Sequence, residues 1–147
     1  MTSSSSSTST AVSPALGWTS YVLGFVAAVI MLQTLFFKFT GAELPIYIFT
    51  KLGAEPFGRY ASGVAELIAG VLLLVPATRA YGAVLGAGIM GGAIMSHLTI
   101  LGIVVMDDGG ELFAMAIVTM LCSAAVAFIH RHELIATALR IVGRSKG

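Results

Sequence analysis

The chain has 147 residues, of which 57% are hydrophobic and only 10% charged, with a formal net charge of +1 and a mean hydropathy of +0.96. A soluble domain carries about 25% charged residues, so this composition excludes a water-facing globule and predicts one membrane domain whose main partner is the lipid bilayer. The near-neutral balance gives no basis for a nucleic-acid partner, and a single cysteine, Cys122, excludes intrachain dithiol chemistry.

Residues 1–14 form a Ser/Thr-rich tail without a basic residue, predicted to be disordered and unlike the charged start of a secretory signal peptide. Four apolar spans follow over residues 15–133. The first, Trp18 to Phe39, is long enough to cross a hydrocarbon core of about 30 Å. The second runs from Tyr60 to Val75 and stops at Pro76, the third from Tyr81 to about Val105, and the fourth from Leu112 to about Ile129. The long connection, Thr40 to Arg59, contains "LPIYIF" and fits either a short interfacial helix or lid, or a loop that dips its aromatics into the headgroups. The turns "PATRAYG" and "DDGG" are short, so the helices they join are antiparallel neighbours. Residues 134–147 read as a basic tail. The predicted fold is therefore an all-α, four-transmembrane-helix bundle with a long extracytoplasmic loop between helices 1 and 2. Arg79, Arg131, Arg140, Arg144 and Lys146 fall on one side, which places both termini in the cytoplasm by the bias of Lys and Arg.

The third span holds Gly86-Ala87-Gly88-Ile89-Met90-Gly91, a literal G-x-G-x-x-G. A dinucleotide site needs this pattern between a strand and a helix, with an acid about twenty residues further on; here its flanks are apolar helix sequence and Met106 takes the acid's place. Packing is the better reading. Gly82 and Gly86 are four apart, as are Gly88 and Gly92, which predicts close helix contacts on two faces of the span.

Polar side chains within the spans need a reason, because an ionisable group at mid-bilayer costs about 2.5–3.5 kcal/mol on insertion scales. Gln33 and Lys38 lie in the first span, Glu66 in the second and His97 in the third. Counted at 1.5 Å per residue, Gln33 and Glu66 sit about 10 Å and His97 about 15 Å from the same, extracytoplasmic, face. Their common depth predicts a polar intramembrane pocket. Glu66 must be paired, with Lys38 or His97, or protonated. Lys38 can also simply snorkel, Gln33 can bridge helices and His97 can pack; a Glu–Lys pair that only fixes helix register is the main rival. Arg59 stands at the candidate pocket mouth, where it can hold a ligand's polar end or, preferably, act as an interfacial anchor beside Tyr60. "HRHE" at 130–133 lacks the partners of a metal site, and Asp107, Asp108 and Glu111 read as a solvated acidic turn.

With these residues in place, the chain resembles the DoxX-like family of small four-helix membrane proteins. The resemblance rests on "LFFKFTG", "FTKLGAEPFGRYASGVAELIAGVLLLVP" and "GAIMSHL", over about Leu32 to Phe113. Lys38 and Glu66 match the family's pattern, and His97 matches it less closely. The resemblance implies an inner-membrane protein serving a quinone-linked redox system as an accessory or subunit, without independent catalysis. A quinone headgroup would then sit among Gln33, Lys38, Glu66 and His97, with Glu66 or His97 exchanging protons and Lys38 facing the oxyanion. No haem pair, iron–sulfur cysteines or flavin motif is present in the sequence, so redox subunits would have to supply the electrons. The alternatives are a scaffold or assembly chaperone, including a homo-oligomer, and a small proton-coupled permease; the last is disfavoured by the lack of an internal repeat and of Pro-broken spans.

Overall fold

The first helix, α1 (Pro14–Thr40), starts where Ser13 caps it and Pro14 takes the first position, whose missing N–H costs nothing there. The computed structural model describes residues 13–144; the Ser/Thr tail, but for its last two residues, lies outside them. At 27 residues α1 is about 40 Å long, enough to span the hydrocarbon core and project beyond it. It ends at Gly41, whose φ of +72° suits glycine, with the Ala42 N–H donating to the Phe37 carbonyl 3.0 Å away in a Schellman turn.

The long connection folds as a short helix, α2 (Glu43–Lys51), followed by α3 (Phe57–Leu74). Of the two forms the sequence allows for "LPIYIF", the helix is the one adopted. Pro76 stops α3, and its exposed terminal carbonyls find side-chain donors: Thr78 donates to Leu72 O (3.1 Å) and Arg79 Nε to Leu73 O (3.1 Å). The next helix, α4 (Arg79–Ser96), passes into a π-helical turn at His97–Leu101 and ends at Gly102, φ +86°. The third span therefore closes about four residues before the expected Val105. After the acidic turn, α5 (Glu111–Ile129) returns through the bundle, and α6 (Arg131–Arg144) follows after the break at His130. The basic tail expected over 134–147 is thus helical as far as Arg144.

The described residues are all-α, and α1, α3, the α4 span and α5 are each long and apolar enough to cross a membrane. This is a four-helix integral membrane protein. In the bundle α1 packs on α3 and α5, and α4 packs on the same two helices from the opposite corner. The shared core is built largely of small and flexible residues, with Ala27, Ala28 and Met31 meeting Ala69, Leu73, Ala83, Met90, Ala116 and Val126. Without a hydrophobic drive inside lipid, such association depends on close van der Waals contact. Gly82 shows how close: a Cβ there would lie 2.6 Å from the Leu73 nitrogen and 2.8 Å from the Leu72 carbonyl carbon. Gly86 likewise faces Ser123 and Met31. The second glycine face does not behave as the spacing predicts, because nothing lies within 4 Å of a Cβ at Gly88 or Gly92. Helix α4 is tightly packed on one face only. The large apolar side chains, among them Phe25, Phe36, Leu67, Val84 and Leu121, point outward, as they do when the surrounding solvent is lipid.

Candidate functional site

At the α2 end of the bundle the helices diverge around a cavity of about 640 Å³, walled by α1, α3, α4 and α5 and covered by α2. Most of its wall is apolar, with Met31, Phe37, Phe49, Ile89 and Met115 among the lining residues. The four polar side chains of the predicted intramembrane pocket, Gln33, Lys38, Glu66 and His97, all line it.

Glu66 lies on the inner face of α3, one turn above the core residue Ala69, which turns its carboxylate toward α1. Lys38 reaches it from the last turn of α1, with Nζ 2.5 Å from Oε1, and the two side chains are 15% and 6% exposed. Of the two partners open to Glu66, Lys38 is the one that meets it. The second carboxylate oxygen accepts from the Thr34 hydroxyl at 2.9 Å, a hydrogen that Thr34 also directs at the Met31 carbonyl 2.8 Å away. Thr34 sits one turn before Lys38, so residues spaced i and i+4 present a hydroxyl and an ammonium to one carboxylate. Sequence reasoning missed Thr34 because a single hydroxyl in an apolar run carries no cost that demands a partner; its spacing from Lys38 was the available signal.

His97 belongs to a separate arrangement on the same wall. Its Nδ1 lies 2.7 Å from the Gly102 carbonyl, and its ring packs against Phe113 with centroids 5.5 Å apart. A carbonyl can only accept, so Nδ1 carries the hydrogen, and in the neutral ring the Nε2 lone pair remains available. The π-helical turn that begins at His97 supplies this geometry, since it brings Gly102 back over the ring. Gln33 bridges α1 and α5 through a weak contact from Nε2 to Met115 Sδ at 3.4 Å.

Arg59 is not on the cavity wall. It is buried and forked onto Glu55, at 2.9 and 3.1 Å from Nε and 2.8 Å from Nη2, while Nη1 donates to the Lys38 carbonyl and the guanidinium stacks over Tyr60. Lys51, at the end of α2, reaches the Leu101 carbonyl at 3.4 Å and ties the cover of the cavity to the π-helical turn after α4.

Asp108 is a further lining residue, in the turn before α5. It accepts from the backbone N–H groups of Val105 (2.8 Å), Gly110 (2.9 Å) and Leu112 (3.1 Å). Burial pushes its carboxyl up, but these three donors, with the His97 ring when protonated, outweigh burial and hold it below its ordinary value of 3.8. It is the organiser of the turn rather than the solvated charge the sequence suggests. At the opposite end, Ser20 Oγ and His130 Nε2 lie 2.8 Å apart, and His130 Nδ1 is 3.4 Å from Glu133. His130 is thereby a joint between α1, α5 and α6.

No protein-family model, curated protein or solved structure matches the chain. Fold and site together define its class: a small four-helix membrane protein with a largely apolar cavity, polar at the level of one internal ion pair. Chemically, such a cavity suits an amphiphile. Lys38 has N–H donors beyond the one given to Glu66, His97 offers a ring nitrogen, and the aliphatic walls take the rest of the molecule.

Proposed function

We propose that this protein is a DoxX-like membrane protein that holds a quinone in the α2-covered cavity and serves a quinone-linked membrane redox system as an accessory or subunit. The observation that carries the reading is one apolar cavity of about 640 Å³ containing the Lys38–Glu66 pair and His97. That volume lies within the range of roughly 300–1,000 Å³ common for small-molecule sites, which combine apolar walls with a few placed polar groups. A headgroup oxygen would take a hydrogen bond from Lys38, and Glu66 or His97 would exchange the proton that accompanies reduction. The electrons come from a partner subunit in this reading. The membrane is the bacterial inner membrane, with both termini cytoplasmic and the cavity toward the other side, following the Lys and Arg bias.

Bound lipophiles extracted from the purified protein and identified by mass spectrometry test it, with wild type compared against Glu66→Gln. A quinone near one per chain in wild type, depleted in the variant, is the expected result; equal traces in both, or bulk phospholipid alone, would overturn it. A scaffold role, or a homo-oligomer, is favoured by a different observation: the open face of α4 at Gly88, beside the half-exposed Val84. A flat helix face of this kind accepts a second helix closely. Under that reading Glu66→Gln changes stability and leaves ligand content unaltered.

A further inference from the structure

Among the described residues, the final helix, α6, is the most strongly amphipathic element. Leu134, Ile135, Ala138, Leu139 and Val142 fall on one side of α6 at 100° per residue, and Glu133 and Arg140 fall on the other. Ile135, Leu139 and Val142 are 54%, 67% and 56% exposed, so the bundle does not cover this apolar stripe.

The direction of α6 is fixed by two contacts. His130, which separates α5 from α6, meets Ser20 of α1. Seven residues further on, the Thr137 hydroxyl lies 2.9 Å from the hydroxyl of Tyr81, the third residue of α4. A helix continuing along α5 would carry Thr137 about 10 Å away from the membrane end. Instead α6 turns aside and runs past the start of α4, at the level where the spans themselves enter the bilayer. The Tyr81 contact also sets its rotation: Thr137 turns inward, and Ile135, Leu139 and Val142 turn away from the bundle.

From this geometry we infer that α6 is an interfacial helix that lies in the plane of the membrane and binds anionic phospholipid headgroups. Its apolar stripe continues the lipid-facing surface of the spans, so hydrocarbon is what covers it. Arg140 lies on the polar side and the exposed Arg131 at the helix start, with Glu133 as the only acid of the helix. Arg131 is braced there by the Phe128 carbonyl (2.9 Å) and by stacking over the Phe128 ring. A net cationic helix at this depth attracts phosphate headgroups that carry uncompensated negative charge.

The full chain, with Cys122→Ala and a single spin label at Leu139→Cys or at Arg140→Cys, would be reconstituted in vesicles of phosphatidylcholine with and without phosphatidylglycerol. Relaxation by oxygen and by a water-soluble nickel complex then reports depth at each position. The expected result is a label at 139 reached by oxygen and shielded from nickel, with the reverse at 140. Equal access of nickel to both positions overturns the interfacial placement, and shielding of position 139 from both relaxants overturns it in favour of a protein partner or a second copy. Headgroup selectivity is read separately, by mass spectrometry of the lipids retained by the unlabelled protein from a mixture of the two. Arg131→Gln and Arg140→Gln should each lower the retained phosphatidylglycerol-to-phosphatidylcholine ratio by about fivefold. An unchanged ratio in the double variant overturns the anionic preference.

Discussion

Replacing Lys38 by Met tests whether the pair with Glu66 is a coupled unit. The substitution removes the ammonium 2.5 Å from Oε1 and leaves a 6% exposed carboxylate with Thr34 as its remaining donor. Stripping a buried ion pair of one partner costs about 3–5 kcal/mol. The lower end, about 3 kcal/mol, applies here because Glu66 lies on the cavity wall and keeps the Thr34 hydroxyl as a donor. Glu66→Met strands an ammonium in the last turn of α1, at 15% exposure, whose long stem can move toward the headgroups, so that loss is about 1–2 kcal/mol. The double variant places two thioether side chains of similar volume against each other and should cost about 1 kcal/mol or less, since apolar replacement of a buried pair is often neutral. Adding Glu66→Met to Lys38→Met therefore restores about 2 kcal/mol. Unfolding in mixed micelles of increasing denaturing-detergent content, followed by Trp18 fluorescence, measures all four corners of the cycle. If the double variant loses the sum of the two single losses, the residues act independently and the coupling argued from their geometry is wrong.

Asp108→Ala removes the acceptor of three backbone N–H groups, one before the turn and two at the start of α5, and should cost about 0.5–2 kcal/mol, measured by the same unfolding assay. Because the folded carboxyl titrates below its ordinary 3.8, its contribution is fully present above that pH and is lost as the pH falls through the depressed folded value. The difference between wild type and Asp108→Asn should thus be constant near neutrality and shrink only below about pH 4; a difference that shrinks between pH 5 and 7 would contradict this. Gly82→Ala forces a Cβ against the α3 backbone and should destabilise by about 1–3 kcal/mol, whereas Gly88→Ala meets nothing and should be neutral or slightly stabilising. A stable Gly88→Ala protein that loses a self-association seen for wild type by crosslinking would place a second copy on that face.

The four spans were legible because lipid solvation leaves a strong signature: long apolar runs cut by the 40–59 connection, by "PATR" and by "DDGG". The cavity's polar members were legible for the same reason, since each charge in a span violates the rule that surrounds it. What stayed hidden obeys that rule. Thr34 fits inside an apolar run, and its role exists only because Lys38 follows it by one turn and Glu66 faces it from another helix. The open face at Gly88 and Gly92 was misread as packed, because glycine spacing marks where a neighbour can approach, while the position of the neighbour is set by the other three helices. The helicity of α6 was obscured by its charges, which make 134–147 read as a basic tail until the apolar residues are placed on a helix. Between "LPIYIF" as loop and as helix the sequence offers no decision; the buried Pro45 and the Lys51–Leu101 contact are tertiary.

Arg59 joins the surface of the protein to its cavity without lining it. The Schellman turn at Gly41 closes the Phe37 carbonyl but leaves that of Lys38 exposed at the end of α1. Arg59 donates to that carbonyl through Nη1 from the first turn of α3, while Nε and Nη2 are held by Glu55. The backbone of Lys38 is thus fastened to α3 two turns from Glu66, so the ammonium that pairs with Glu66 starts from a position α3 itself defines. A planar guanidinium can serve a carboxylate and a carbonyl at once, which a single ammonium does with less geometric control. Arg59 is therefore a tie between α3 and the end of α1, and it acts on the polar centre of the cavity only through Lys38.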